Sequence, residues 1–314
     1  MKYSYKIIDA HCDTIAEMYR YGELKKNNMH LDIERMMLYK NYLQLFAVWT
    51  DSSLGAIKQK KRCFEIIKRF HKQLEINNGS IMHIKNADDI KKSWSSGKIG
   101  AILGVEGADF VKELCDIDEL YEKGVRAVTL TWNASNKIAS GVGDESADFG
   151  LTVFGEKVVK RLNELGMLID VSHISKKAFW DVISLTKMPI SATHSNSASI
   201  CNHIRNLSDE QFLALIKNGG VAGINYYPQF INKTNDATVD DIIKHIEHFC
   251  SLGGENNIGL GGDFDGIEVT PRDLRGVEEV YILLDRLLSL NYSEDVVEKI
   301  AYRNFYNLLE KVLK

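Results

Sequence analysis

Six side chains stand out for chemistry because each lies at the end of a short apolar run. His11 and Asp13 form an H-x-D after KIIDA, Glu106 closes AILGVE, and His173 closes LIDVSH. His194 closes PISATH, and Asp263 follows GLGG in GLGGDFDG. In extended backbone, residues i and i+2 point the same way, so His11 and Asp13 can reach one point. Imidazole with carboxylate suits zinc and its neighbours. Taken singly the signals are weak. An H-x-D arises often by chance, a carboxylate after an apolar run can be a salt bridge at a rim, and a histidine at a strand end is more often a satisfied rim residue. A buried carboxylate is nonetheless costly unless paired or bound to a cation. Three histidines with three carboxylates exceed what one four-coordinate metal uses. The set suits two metals sharing a bridging carboxylate, where a bound water loses its proton near neutral pH and attacks an activated carbonyl or phosphoryl group. The neighbouring Asp265 completes DFDG, which lacks the ligand spacing and terminal Glu of an EF-hand. No Lys-Ser/Thr follows, so it is no phosphate loop either.

Regular elements must bring these residues together. Short apolar runs recur at 6–10, 43–49, 100–105, 125–130, 167–171, 189–192, 220–225 and 258–261. They often lack polar alternation, as parallel strands covered on both faces do. Amphipathic segments lie between them. Residues 53–77 form a long one. Residues 153–165 stop at Gly166, and 208–218 open on S-D-E-Q and stop at Gly219. Residues 240–252 and 277–290 behave alike, and 293–313 read as one terminal amphipathic helix. Eight strands alternating with helices predict an α/β fold, a (β/α)8 TIM-type barrel with a C-terminal helix, as one metal-dependent hydrolase domain over 1–314. The alternative, an open doubly wound sheet, would usually carry a Gly-rich loop after its first strand. Here that strand runs into Asp9-Ala10-His11-Cys12-Asp13.

Composition narrows the class. The 314 residues are 45% apolar and 26% charged with a net charge of −4, which supports a packed core and excludes disorder. Mild acidity gives no footprint for nucleic acid. No stretch approaches the roughly 20 apolar residues of a membrane span, and MKYSYKIIDAH enters a strand-like run without signal-peptide regions. Five irregularly spaced cysteines form no C-x-x-C and read as free thiols in a reducing cytoplasm. Cys12 lies between two candidate ligands, but its side chain should point the opposite way. His245 and His248 read as a solvated helix face, and 58–62 (KQKKR) as helix surface. Tyr226-Tyr227-Pro228-Gln229-Phe230 either walls a pocket or anchors a loop.

The segments DAHCDT, GVEGAD, AVTLTWN, FGLTVFGEKVV, LIDVSH, ATHSNSASICNHIRNLSDEQ, GINYYP and GLGGDFDGI occur in this order over nearly the whole chain. Together they resemble the renal (membrane) dipeptidase family of binuclear zinc dipeptidases, within the amidohydrolase superfamily. The resemblance implies two Zn²⁺ ions, with Mn²⁺ or Co²⁺ as possible substitutes. His11 and Asp13 would bind the first, Glu106 would bridge both, and His173 with His194 would complete the second. Asp263 would lie beside the first metal and shuttle a proton from the water to the leaving amine, while Asp265 holds its loop. Arg205 would grip the free carboxylate of a dipeptide, whose planar anion suits a guanidinium fork. Where mammalian relatives carry a histidine that contacts the substrate carbonyl, this chain has Trp132 followed by Asn133, so these two become the candidate substrate contacts there. The implied reaction is dipeptide hydrolysis by a metal-bridging hydroxide. The alternatives are a related amidohydrolase acting on N-acyl amino acids, lactams or other amides, and a non-catalytic metal-binding barrel. A homodimer follows by family analogy only, and no membrane or nucleic-acid partner is expected.

Overall fold

A computed structural model describes residues 1–144 and 148–314. The strands are β1 (Tyr3–Cys12), β2 (Tyr39–Trp49), β3 (Ile81–His83), β4 (Ile99–Glu106), β5 (Val125–Thr129), β6 (Leu168–Asp170), β7 (Ser191–Ala192), β8 (Val221–Ile224) and β9 (Ile258–Leu260). Eight of them close a parallel barrel in the order β1, β2, β4, β5, β6, β7, β8, β9 and back to β1. Every expected run supplies one of these eight. The addition is β3, which pairs with Ile99–Ala101 before β5 joins β4 at Leu103. Its residues, Ile81-Met82-His83, end on a polar side chain and are only partly buried, so no apolar run marks them.

The helices are α1 (Thr14–Tyr21), α2 (Ile33–Met36), α3 (Ala56–Ile76), α4 (Ala87–Ser95), α5 (Leu114–Glu122), α6 (Val153–Leu165), α7 (Lys176–Leu185), α8 (Asp209–Asn218), α9 (Pro228–Ile231), α10 (Val239–Ser251), α11 (Val280–Ser289), α12 (Glu294–Glu298) and α13 (Asn304–Val312). Local chemistry sets their ends. The Thr152 side chain accepts from Gly155 N to start α6, and Gly166 stops it at φ 70. Ser208 and Gln211 form a capping box on α8. The long segment after β2 begins later than its pattern suggested, because Gly55 at φ 74 separates a 3-10 turn from α3. The terminal run is not one α-helix. A π-helical turn, Lys299–Arg303, joins α12 to α13. Just past it, Asn304 Nδ2 donates to Glu255 O and Ile258 O and ties the tail to β9.

Two apolar layers form the core. The larger lies between strands and outer helices. The smaller fills the barrel with Ile8, Ala10, Leu45, Ile102, Ala127 and Leu168, and Phe305, Leu308 and Leu309 of α13 join it. Phe305 packs so close to Gly259 that a Cβ there would lie 2.3 Å from its ring. The five cysteines are unpaired, and Cys12 is buried in the outer layer, away from the barrel interior. Among the described residues no helix is long and apolar enough to cross a membrane.

His245 departs from the solvated face expected of it. It is fully buried on α10, its Nε2 donating to Ile231 O at 2.9 Å and its Nδ1 accepting from Ser197 N at 3.1 Å. It falls on the stripe of Ile242, Ile246 and Phe249, so helical periodicity places it inward. His248 does lie on the outer side, with its Nε2 2.8 Å from Asp209 Oδ1.

Candidate metal centre and active site

All six candidate ligands lie at the C-terminal end of the barrel. Glu106 is the last residue of β4, and His11 is the penultimate residue of β1. His173 and His194 follow β6 and β7, and Asp263 follows β9. Asp13 is not in extended backbone: it is the residue before α1, at φ −99 and ψ 7. Its Oδ2 still comes within 3.6 Å of His11 Nε2. The register shift between Asp9 and Cys12 lets His11 face inward after the inward Ala10.

Glu106 occupies the centre. Its Oε1 lies 2.9 Å from His173 Nε2 and 3.6 Å from His194 Nε2, and its Oε2 lies 3.3 Å from His11 Nε2. Two groups therefore meet at one carboxylate: Glu106, His173 and His194 on one side, and His11, Asp13 and Asp263 on the other. A third possible group is His11, Asp170 and His194.

The donor set fits divalent cations. His11 Nε2 and Asp13 Oδ1 are buried without a hydrogen-bond partner, a costly condition for polar atoms. His173 Nδ1 lies 2.8 Å from Asn133 Oδ1, an acceptor that favours a proton on Nδ1 and frees Nε2 for a cation. The Nε2 lone pair of His173 then faces His194 Nε2 at 2.9 Å. Burial, with Arg205 nearby, holds His173 down to about 4, and burial with His11 and Arg205 holds His194 well below the usual histidine range. Burial and the charge of Glu106 push Asp13 up to about 8, and burial pushes Asp263 up to about 6. Burial works against the Glu106 anion too, but His11 and His173 hold it well below the carboxylate range. Burial works against a charged His11, yet Glu106 and Asp13 raise its ring well above the usual histidine range, so the carboxylates here already gather positive charge, which a cation at their centre would supply instead.

Further side chains complete the pocket. Asp263 adopts φ 60, a strained conformation for a non-glycine residue, and Asn225 Nδ2 donates to its Oδ2 at 2.9 Å. Asp265 accepts from Thr14 Oγ1 and from His30 N, so it ties loops together. Arg205 is buried. Its Nη1 donates to Ser172 O, while Nε and Nη2 have no partner. Burial lowers its pKa to about 10, still charged at neutral pH. Phe230 lies 5.5 Å from its guanidinium, whereas Tyr226 is buried against Phe264. Within the aromatic run, Phe230 thus lies beside Arg205 while Tyr226 packs into the core. Trp132 sets its ring edge-on to Trp49 at 5.4 Å and 6.1 Å from His173.

Sequence reasoning passed over four residues that the structure brings to the site. Asp170 accepts from Thr129, Ser172 and Thr193. Thr193 touches both His11 and His194. Asp9 accepts from the backbone of His11 and Gly262, linking the ends of β1 and β9. Asn225 holds Asp263. Asp170 carried a readable signal, since it is a carboxylate within a buried apolar run, the criterion that singled out Glu106.

Residues 1–314 match the family model for membrane dipeptidases, peptidase family M19. A Klebsiella pneumoniae protein, known as an uncharacterized protein in the pqqA 5' region, is 35% identical over 237 residues, or 72% of this chain and 87% of that one. The crystal structure of dipeptidase AC, a metallo peptidase of family M19, superposes with a TM-score of 0.92 at 23% identity over 99% of each chain. A Rhodobacter sphaeroides metallo peptidase, liganded with a phosphinate mimic of the dipeptide L-Ala-D-Ala, superposes with a TM-score of 0.90 at 22% identity over 98% of this chain and 99% of that one. At these identities the two structures establish the shared barrel.

Proposed function

The chain belongs to the membrane dipeptidase family, peptidase family M19, and is a hydrolase of peptide bonds; from that premise we propose that it is a zinc-dependent dipeptidase acting on dipeptides with a free C-terminal carboxylate. The observation that carries this reading is Glu106, whose two oxygens face different histidine groups. His11, Asp13 and Glu106 would hold one Zn²⁺, and Glu106, His173 and His194 the other, with Asp263 beside the first. Mn²⁺ or Co²⁺ suits the same donors. Such a pair would lower the pKa of a bound water and polarise the scissile carbonyl.

The chain's own residues do the rest. Asn225 occupies Asp263 Oδ2, which leaves Oδ1, 3.9 Å from His11 Nε2, to take the proton of the attacking water and deliver it to the leaving amine. Arg205 offers Nε and Nη2, both unpartnered, to the substrate's carboxylate and fixes its register. Trp132 walls the substrate. Asn133, with its Oδ1 committed to His173, acts on the substrate through that ring. The whole chain serves as one hydrolase domain, and its five unpaired cysteines support a reducing, cytoplasmic setting.

The test is direct. Purified protein with two equivalents of zinc is given a panel of L-L and L-D dipeptides, and EDTA should stop their cleavage. Absence of turnover across the panel with zinc, manganese and cobalt overturns the reading.

A further inference from the structure

Metal-ligating imidazoles depend on what their second nitrogen touches, because that partner fixes the tautomer and the ring's direction. One hydroxyl in this barrel serves two of the three candidate ligand histidines. Thr193 Oγ1 lies 2.8 Å from His194 Nδ1 and 3.4 Å from His11 Nδ1. It also lies 2.7 Å from Asp170 Oδ2. A hydroxyl has one proton and two lone pairs, and its shortest contact is the one in which it donates to Asp170 Oδ2. The Thr193 proton therefore points at Asp170. Ser172 Oγ, 3.2 Å away, is the weaker competitor because it is neutral and more distant. With its proton committed, Thr193 Oγ1 can only accept from the two rings. That places a proton on Nδ1 of each and leaves both Nε2 lone pairs facing Glu106.

The support around this hydroxyl is rigid. Asp170 Oδ2 also accepts from Thr129 Oγ1 at 2.7 Å, and its Oδ1 accepts from Ser172 Oγ at 2.6 Å and from Thr193 N at 2.9 Å. Thr193 and Asp170 are both buried. The Thr193 carbonyl is packed against Gly223 and Gly261, where a Cβ would lie 2.0 and 1.8 Å from its oxygen. Neither the backbone nor the hydroxyl can swing without disturbing three strand ends.

We propose that Thr193, aimed by Asp170, is the positioning residue that sets the tautomers of both His11 and His194 and thereby couples the cation affinities of the two halves of the site. This rests on the reading that the cluster holds divalent cations. His173 falls outside this control, since its Nδ1 faces Asn133.

The experiment uses the full chain stripped with EDTA and titrated with zinc against a chromophoric chelator. Thr193→Val keeps the side chain's shape and removes the hydroxyl. It should weaken zinc binding about 10–100-fold and lower the melting temperature of the stripped protein, because buried polar partners lose the hydroxyl, and Thr193→Ser should restore zinc binding. Zinc affinity of Thr193→Val equal to that of the unaltered protein overturns the proposal while leaving the dipeptidase reading standing. Failure of the unaltered protein to bind zinc overturns both. A readout independent of any variant comes from ¹⁵N-histidine NMR of the zinc-loaded protein. His11 and His194 should each carry the proton on Nδ1, and coordination of either ring through Nδ1 refutes the proposal even if Thr193→Val fails to fold.

Discussion

Replacing His245 with Gln should change how the barrel's stability depends on pH. The ring is fully buried, and both nitrogens are used in the neutral form, one donating to Ile231 O and one accepting from Ser197 N. Burial, aided by the nearby charges of His248 and Lys244, lowers its pKa from 6.5 to about 4, against the opposing influence of its hydrogen bond to Ile231 O and of Asp241. Between those values the unfolded chain binds a proton that the folded chain excludes. Stability contributed by this group is therefore complete above the unfolded value and declines as pH falls through the window. At 1.36 kcal/mol per pH unit, the loss is ~2 kcal/mol near pH 5 and approaches ~3 kcal/mol once the folded value is reached. The Gln variant cannot titrate, and its amide can still donate to Ile231 O. Urea unfolding of both EDTA-stripped proteins near pH 7.5 and near pH 5 measures the difference. His83, also buried and held low, titrates in both proteins and cancels. The variant should start less stable but lose about 2 kcal/mol less on acidification. Equal losses would show that His245 titrates normally, and burial would not be holding the ring neutral.

Two other expectations concern the site and its support. Arg205→Lys keeps a charge but loses the planar fork, so kcat/KM for free dipeptides should fall by about 10²-fold while C-terminally amidated dipeptides change little; equal effects on both would remove the carboxylate role. Gly261→Ala places a Cβ 1.8 Å from Thr193 O, so it should cost ~1–3 kcal/mol or more and weaken zinc binding. Gly79→Ala, which meets open space, should leave both unchanged in the same melting and titration experiments.

Much of the barrel was legible because buried parallel strands write themselves as apolar runs, and because each run stops at a residue that does not belong in a core. Glu106, His173 and His194 stand out on that ground alone. What escaped the sequence is either short or three-dimensional. β3 is short and ends on His83 with only Ile81 buried, so no apolar run marks it. The π turn at Lys299–Arg303 keeps helical spacing and leaves no compositional mark. Asp13 reaches His11 from the start of a helix rather than from a strand, so the expected proximity arises by a different geometry. Asn133 is expected beside the substrate with Trp132, and nothing in the sequence signals its second contact. Its side chain meets His173, 40 positions away, a pairing that no local pattern encodes. Thr193 looked like an ordinary strand residue because its importance lies in three partners from other strands or the adjoining position. His245 was the avoidable error, since its helical spacing already placed it among isoleucines.

The account stands or falls on whether paired cations at Glu106 make this barrel cleave dipeptides. The most direct measurement is turnover of a dipeptide by EDTA-stripped protein as zinc is added back, with bound metal counted in parallel. The account predicts no cleavage without metal, a rise as zinc fills the site, and a plateau at two bound equivalents. Full activity at one equivalent, or two equivalents bound with no dipeptide cleaved, would contradict it.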